Sequence, residues 1–154
     1  MIMKLTVWLF FLITASNLSA QKSPQEIMED RARHLHRAIN SSEQAAWTNF
    51  VRENYSQAFI DKAPSRKVVV NGEEQSSSNA ADSGKNKVET KTELLAMLHH
   101  DFGGSQILSL KYKDFVVDMV LLSSDGLKGS FKLTFQKQAP YLIDNMGVEA
   151  SMDR

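Results

Sequence analysis

The chain has 154 residues, of which 42% are apolar and 23% charged, and its 18 basic and 18 acidic residues leave no formal net charge. It contains no cysteine, which excludes disulfides, thiol catalysis and cysteine-based metal sites. A chain without net charge also lacks the electrostatic attraction that drives binding to nucleic acid or to anionic lipid.

Residues 1–20 have the pattern of a cleavable secretory signal peptide. Lys4 is their only charge, an apolar run follows at residues 5–13, and a more polar stretch leads to the small residue Ala20. The run is shorter than the ~20 residues that a membrane-spanning helix needs. Cleavage after Ala20 leaves 134 residues, with 17 basic and 18 acidic side chains. We therefore expect a periplasmic or secreted protein, residues 21–154, without membrane attachment; a buried N-terminal helix is the alternative.

The first half of the mature chain predicts helices. Ser23, Pro24 and Glu26 form a strong helix start, because serine caps, proline suits the first helical position and glutamate reaches back to the cap. Apolar residues at steps of three and four then indicate one buried stripe. They are Met28, Ala32, Leu35 and Ile39. Two shorter helices are predicted after Asn40 and after Ser56.

Residues 71–90 are polar and predict a mobile surface loop within the single domain. Two alanines and one valine stand there among serine, asparagine and charged residues. Such a segment buries too little apolar surface to offset the entropy lost on ordering. The valines at 68–70 are predicted to form a short edge strand. A further helix is predicted from Thr90, which with Glu93 repeats the capping pattern, to the glycine pair at 103–104.

The last third predicts an antiparallel meander. Two segments alternate apolar and polar residues, as half-buried strands do. Their apolar positions are 108, 110 and 112 in the first segment and 131, 133 and 135 in the second. Residues 115–122 are nearly all apolar, which predicts a strand that is either central in the sheet or covered on both faces. Residues 123–126 form a hairpin turn, and Pro140 precedes a last strand around Ile143 and Val148.

Helices followed by an antiparallel meander predict an α+β fold rather than an α/β fold. The economical arrangement places the N-terminal helices in the concave face of a curved sheet of about four strands.

One set of packing and turn residues is shared with a known family. It comprises Phe50, Asn54-Tyr55-Ser56, Ala63-Pro64, Leu94-Leu95, Leu98, Gly103-Gly104 and the segment Pro140 to Val148. With the order of elements, these residues resemble the cystatin-like (NTF2-like) domain near the N-terminus of many secreted bacterial serine hydrolases of the β-lactamase-like class. In that family the domain is not the catalytic part. The chain ends at Arg154, where such a hydrolase domain would begin, so the resemblance implies an accessory domain alone.

Motifs for nucleotide and serine chemistry are missing from the sequence. Neither of the glycine-rich phosphate loops occurs, and there is no G-x-S-x-G elbow. The single S-x-x-K, Ser19 to Lys22, spans the predicted cleavage site. Ser83 lies in the polar segment, where no base could be held near it.

The four histidines make a poor metal site. His34 and His36 are two apart on a helix and point ~200° apart, and His99 and His100 point ~100° apart. We expect them to be solvated, with Asp30 paired to His34. A site with one histidine from each helix is the alternative. The sequence thus predicts neither a metal nor a cofactor.

Asp118 is the one candidate catalytic residue. It lies in the apolar strand at 115–122, and a carboxylate that faced a cavity would have the raised pKa of a general base. In the alternative, Asp118 faces solvent beside Lys111, Lys113 or Lys132 on a neighbouring strand.

Aromatic residues are the candidates for ligand binding. Six of them could line a cavity between helices and sheet. They are Trp47, Tyr55, Phe59, Tyr112, Phe131 and Tyr141. The alternative is that they are ordinary core residues.

These observations favour an exported, non-catalytic accessory or binding domain. Its partner would be another exported protein, such as a hydrolase acting in trans, or a small apolar ligand. The second hypothesis is a small cofactor-free enzyme of the cystatin-like type, an isomerase, lyase or hydrolase using Asp118 or a histidine. The third is a homodimer that packs sheet against sheet, which the lysines of the outer face disfavour.

Overall fold

The structure is a computed structural model and describes residues 22–63, 65–70, 73–78 and 86–152. The predicted signal peptide lies outside these residues, as does Pro64. Three helices come first: α1 (Pro24–Asn40), α2 (Gln44–Asn54) and α3 (Gln57–Asp61). A hairpin of β1 (Ser65–Val70) and β2 (Glu73–Ser78) precedes α4 (Lys87–Phe102). Four strands follow: β3 (Gln106–Lys113), β4 (Val116–Leu122), β5 (Leu127–Phe135) and β6 (Ile143–Met152).

The fold is α+β, as the order of predicted elements indicated. Strands β3 to β6 form one antiparallel sheet in the order β3-β4-β5-β6. The helices pack against one face of this sheet, and a single cluster of buried apolar side chains fills the space between them. The hairpin β1–β2 is a separate two-stranded sheet.

Helix α1 begins with the predicted capping box. Ser23 Oγ accepts the N–H of Glu26, and the carboxylate of Glu26 accepts the N–H of Ser23 at 2.7 Å. The predicted stripe is buried along its whole length. Because apolar side chains at this spacing share one face of a helix, α1 packs that face into the core.

Helix α4 begins earlier than the capping pattern at Thr90 suggested. Asn86 is the N-cap, and its side chain accepts the N–H of Val88 at 3.1 Å. The end is as predicted, with Gly103 as C-cap and Gly104 at φ +76°. The prediction of a loop at 71–90 is wrong in two places, because the segment contains strand β2 and the start of α4.

Residues 73–78 form strand β2 in register with β1, and the valines predicted as an edge strand belong to β1. Residues 87–90 are the first turn of α4. The loop prediction rested on the small number of apolar residues, whereas β2 is held by backbone hydrogen bonds to β1, which do not depend on apolar side chains. Residues 71–72 and 79–85 of the predicted loop lie outside the described residues.

Strand β3 contains a bulge that changes its predicted pattern. The register with β4 shifts between Ile107 and Ser109, so Leu108 is the extra residue and its side chain is 52% exposed. A bulge reverses the alternation on one side of it. Ile107, Leu110 and Tyr112 therefore pack against the core, and the prediction that Leu108 faces inward is wrong.

Strand β4 is central in the sheet, which is one of the two predicted alternatives, and it is covered on one face only. Val117, Met119 and Leu121 are buried, whereas the residues between them are half-buried or exposed. The strand has neighbours on both edges, β3 and β5, but its outer face is not covered by any described element.

The start of β6 is attached to the end of α2. Tyr55 forms a parallel bridge with Ile143, and the N–H of Ser56 donates to Ile143 O at 2.8 Å. The break predicted at residues 54–56 is thus a backbone contact that joins the helical layer to the edge of the sheet.

Candidate functional site

Asp118 lies on the face of the sheet that points away from the helices. Its cross-strand neighbours are Lys111 on β3 and Lys132 on β5, and all three residues are exposed. Opposite charges directly across from each other stabilise a sheet by ~0.2–1 kcal/mol per pair. Asp118 therefore faces solvent, as in the second of the two alternatives considered for it, and not a cavity. Lys113, the third lysine considered, lies opposite Val116 instead.

The six aromatic residues proposed as a ligand site pack into the core or against it. Tyr55, Phe59 and Phe131 are buried. The other three, Trp47, Tyr112 and Tyr141, are half-buried at the edge of the same cluster. The Tyr55 ring lies 4.7 Å from Phe59 and 5.5 Å from Phe50, both edge to face. Burial also raises the pKa of the Tyr55 hydroxyl. These are the contacts of core residues, the alternative that their spacing left open.

Two shallow clefts lie along α1, away from this core. The first, of about 310 Å³, is lined by His34, Arg37, Ala38, Ala46, Asn49 and Glu53. The second, of about 350 Å³, is lined by Lys22, Ile27, Asp30, Arg31, His34, Arg37 and Asn54. Most residues that line them are polar or charged, both clefts share His34 and Arg37, and neither is lined by any of the six aromatic residues.

His34 is half-buried between the two clefts. Its ring packs edge-on against Phe50, with the ring centroids 5.3 Å apart. Burial, together with the charge of Arg37, lowers the pKa of this imidazole. A neutral imidazole offers the clefts one acceptor nitrogen. The predicted pairing with Asp30 is wrong, since Asp30 binds Lys22 at 2.5 Å.

Arg31 connects the helices to the turn before β6. Its guanidinium donates to Glu53 O at 3.1 Å, to Asn54 Oδ1 at 2.8 Å and to Pro140 O at 3.0 Å. Its Nε–H is buried and has no hydrogen-bond partner among the described residues. These contacts position the helices. They could not be predicted from the sequence, because the bonded residues are far apart in the chain.

Two other histidines bond to backbone carbonyls rather than to solvent. His36 Nε2 lies 2.9 Å from Ser105 O, and His99 Nδ1 lies 2.7 Å from Ile39 O. The prediction of solvated histidines is therefore wrong for these half-buried residues and for His34, and correct for the exposed His100. No group of three or more His, Asp or Glu residues in the described part of the chain could hold a metal ion.

Among the residues whose burial the structure describes, one lysine is buried. Lys91 is 2% exposed, and its Nζ lies 4.2 Å from the centroid of the Phe59 ring. Burial and the nearby charge of Lys62 lower the pKa of this amine. The sequence carried a signal for this position, because residues 91, 95, 98 and 102 have the spacing of one helix face.

The outer sheet face is a surface whose apolar residues were not predicted from the sequence. We use this name for the side chains of β3 to β6 that point away from the helices. Its half-buried apolar residues are Val116, Val120 and Leu122, all on β4. Its lysines are Lys111, Lys113, Lys128 and Lys132, and its acids are Asp118 and Glu149. Because side chains alternate along a strand, Asp118 could have marked this face as the outer one.

The comparisons with known proteins assign no relative to this arrangement. No family model matches the chain, and it matches neither a curated protein nor a solved structure. Among the described helices, none combines the length and apolar character needed to cross a membrane.

Proposed function

We propose that this chain is an exported, non-catalytic binding domain that docks on another exported protein through its outer sheet face. The observation that carries the proposal is the strip of Val116, Val120 and Leu122 in the middle of that face. Protein interfaces commonly have an apolar centre within a polar rim. Here Lys113 and Lys128 lie beside the two ends of the strip, and Lys111 and Lys132 lie beside Asp118, which stands between Val116 and Val120.

The charges of the outer sheet face define the chemistry of the partner. Four lysines stand there against two acids, Asp118 and Glu149. Complementary charges steer association and disfavour wrong partners more than they add affinity. The partner we propose therefore presents an apolar patch bordered by carboxylates, and an exported hydrolase acting in trans is one candidate.

The family resemblance supports the accessory role. Helices that precede a four-stranded antiparallel sheet agree with the layout of a cystatin-like domain. The residues that carry the resemblance also contact one another: Arg31 bridges Asn54 and Pro140, and Tyr55 pairs with Ile143. We propose that the chain is a cystatin-like domain of bacterial origin, exported by a signal peptide at residues 1–20 and released into the periplasm or the medium.

A protein partner is better supported than a small apolar ligand. The six aromatic side chains proposed for a ligand are engaged with the core, and most residues that line the two clefts are polar or charged. A ligand among the aromatics would have to displace packed side chains, whereas the outer sheet face is accessible without rearrangement.

Affinity capture from the native exported fraction tests the proposal. Residues 21–154 are compared with Val120→Glu, which places a charge in the centre of the apolar strip. The matched control is Ala45→Glu, at an exposed position on α2. We expect a partner that wild type and Ala45→Glu capture equally and that Val120→Glu loses at least tenfold. Equal capture by all three proteins would overturn the assignment of the surface.

One observation favours the alternative, a small cofactor-free enzyme. His34 has a lowered pKa and stands at two clefts together with Arg37, so its neutral imidazole could accept a proton. Asp118, on the exposed face, contributes nothing to this site. Turnover of simple esters or enolisable ketones that His34→Gln abolishes would support the enzyme, and turnover unaffected by this change would refute it.

A further inference from the structure

The two edges of the four-stranded sheet are protected very differently. Edge strands carry unpaired backbone groups, and proteins usually guard them with lysine, proline or a bulge. Strand β3 has two exposed lysines, Lys111 and Lys113, and the bulge at Leu108. Strand β6 has ten residues and contains no lysine, arginine or proline; its charges are Asp144 and Glu149, and Tyr55 and Ser56 cover only its start at Ile143. Its one deviation in register lies at its start, between Thr134 and Phe135 of the partner strand.

The hydrogen bonds of the sheet show which backbone groups of β6 are unpaired. Phe135 N–H donates to Phe115 O, and Ser123 N–H donates to Leu127 O. Odd-numbered residues of β5 therefore bond to β4, and even-numbered ones bond to β6. Their β6 partners are Asn145, Gly147, Glu149 and Ser151. The N–H and C=O groups of Met146, Val148 and Ala150 consequently point away from the sheet, and no described strand pairs with them.

The side chains of the same three residues point toward the core side of the sheet. They lie opposite Leu133, Phe131 and Gly129, which are buried. Exposure nevertheless increases along β6: Met146 is half-buried, Val148 is 36% exposed and Ala150 is exposed. The end of α4 lies over the neighbouring strand, where Phe102 approaches Gly129, and leaves Val148 and Ala150 exposed. The exposed side chain of Val148 thus lies in the middle of the row of backbone groups that no described strand pairs with.

We propose that β6 pairs antiparallel with β6 of a second copy, with Val148 on the two-fold axis. Val148 then lies opposite Val148 of the other copy, and Met146 lies opposite its Ala150. These three pairs supply about six backbone hydrogen bonds. The two sheets join into one of eight strands, and the outer sheet faces of both copies form a continuous surface. The proposal is independent of whether that surface binds a partner.

Two neighbouring registers are less favourable than this one. Moving the two-fold axis to Glu149 places two glutamates directly opposite each other, which is destabilising. Moving it to Gly147 places Ala150 opposite Asp144, the residue at the irregularity in the strand. With the axis at Val148, Glu149 lies opposite Gly147 of the other copy and no like charges meet. A second copy therefore fits this edge without a change in sequence.

Single-cysteine crosslinking tests the pairing, because the protein has no other cysteine. Val148→Cys places two Cα atoms ~5.5 Å apart across the axis, within the range of a disulfide. Ala150→Cys places them about four strand positions, or ~13 Å, apart. We expect Val148→Cys to form a covalent dimer on mild oxidation and Ala150→Cys to stay monomeric. Equal crosslinking at the two positions, or none at Val148, would overturn the proposal.

Oligomeric state provides the second measurement, by light scattering of residues 21–154 over a range of concentration. We expect a dimer for wild type and a monomer for Val148→Lys, in which two lysines would meet at the axis. The matched control is Leu108→Lys, at an exposed apolar position on the opposite edge, which we expect to remain dimeric. Circular dichroism checks that both variants are folded. A monomeric wild type, or a dimer that Leu108→Lys breaks, would refute pairing through β6.

Discussion

Ser56 Oγ donates a hydrogen bond of 2.6 Å to Asp144 Oδ1, across 88 positions of the chain. The same oxygen accepts the N–H of Phe59 at 3.1 Å and so caps α3. Ser56 is completely buried, and its own N–H bonds to the start of β6. One residue thus connects the helical layer, the short helix and the last strand.

Replacing Ser56 by alanine removes both side-chain hydrogen bonds at once. We expect Ser56→Ala to lower the free energy of unfolding by about 1–3 kcal/mol, the sum of a lost cap and a lost bond to a carboxylate. Asp144→Asn keeps an acceptor oxygen and serves as the control, with a smaller loss. Urea unfolding followed by Trp47 fluorescence measures both, and equal stability of Ser56→Ala and wild type would contradict this role.

Gly129 allows Phe102 to approach the sheet closely. A Cβ at this position would lie 2.5 Å from Phe102 Cε1, and both the ring and the neighbouring strand are buried. We expect Gly129→Ala to destabilise the fold by about 1–3 kcal/mol through overpacking. Gly147→Ala is the matched control, since a Cβ there meets no atom within 4 Å. Similar melting temperatures for the two variants would argue against this packing.

Lys91 is expected to cost stability at neutral pH. Its ammonium gains a contact with the Phe59 ring, but burial outweighs this gain, because the pKa of the amine falls below its ordinary 10.5. The unfolded chain holds the proton more tightly, so the free energy of unfolding rises with pH between the lowered value and 10.5. We expect Lys91→Met to stabilise the protein at pH 7 by roughly 1–2 kcal/mol.

The gain from Lys91→Met should shrink as the pH approaches 10.5, where the wild-type amine loses its proton. Lys137→Met, at an exposed position outside the strands, is the control and should change stability by no more than ~0.5 kcal/mol. Urea titrations at several pH values measure both differences. A gain that stays constant with pH would mean that Lys91 acts through packing alone.

His34 should titrate below its ordinary pKa of 6.5, because burial and the charge of Arg37 disfavour the imidazolium. As pH falls below 6.5, the unfolded chain takes up this proton first, so the free energy of unfolding decreases. We expect Arg37→Gln to raise the pKa of His34 toward 6.5. NMR titration of the His34 ring protons measures this pKa in both proteins, and an unchanged value would exclude the contribution of Arg37.

Local patterns predicted the elements but not every boundary. The capping box at Ser23 and the stripe that follows were correct because both depend on residues within one helix. Thr90 failed as a cap although it carries the same pattern. Asn86 takes that place, and Thr92 bonds back to Val88 O inside the helix. A capping pattern shows that a residue is able to cap a helix. Whether the helix begins there also depends on competing cap residues earlier in the chain.

The parts of the candidate site that depend on distant contacts were not predictable. The carbonyl partners of His36 and His99 lie 69 and 60 positions away in sequence, so no local spacing could assign them. The bulge at Leu108 likewise depends on the register with β4. The lysines of the outer sheet face were recognised from the sequence, and its apolar residues could have been, because Asp118 shares its alternation with Val116, Val120 and Leu122.

Site-specific photocrosslinking in the producing cell tests the central claim, binding through the outer sheet face, most directly. A photoreactive residue replaces Val120 in one variant and Ala45, exposed on α2, in the other. We predict a discrete crosslinked product with a second exported protein from position 120 and none from position 45. A product from position 45 alone, or no product from position 120, would contradict the account.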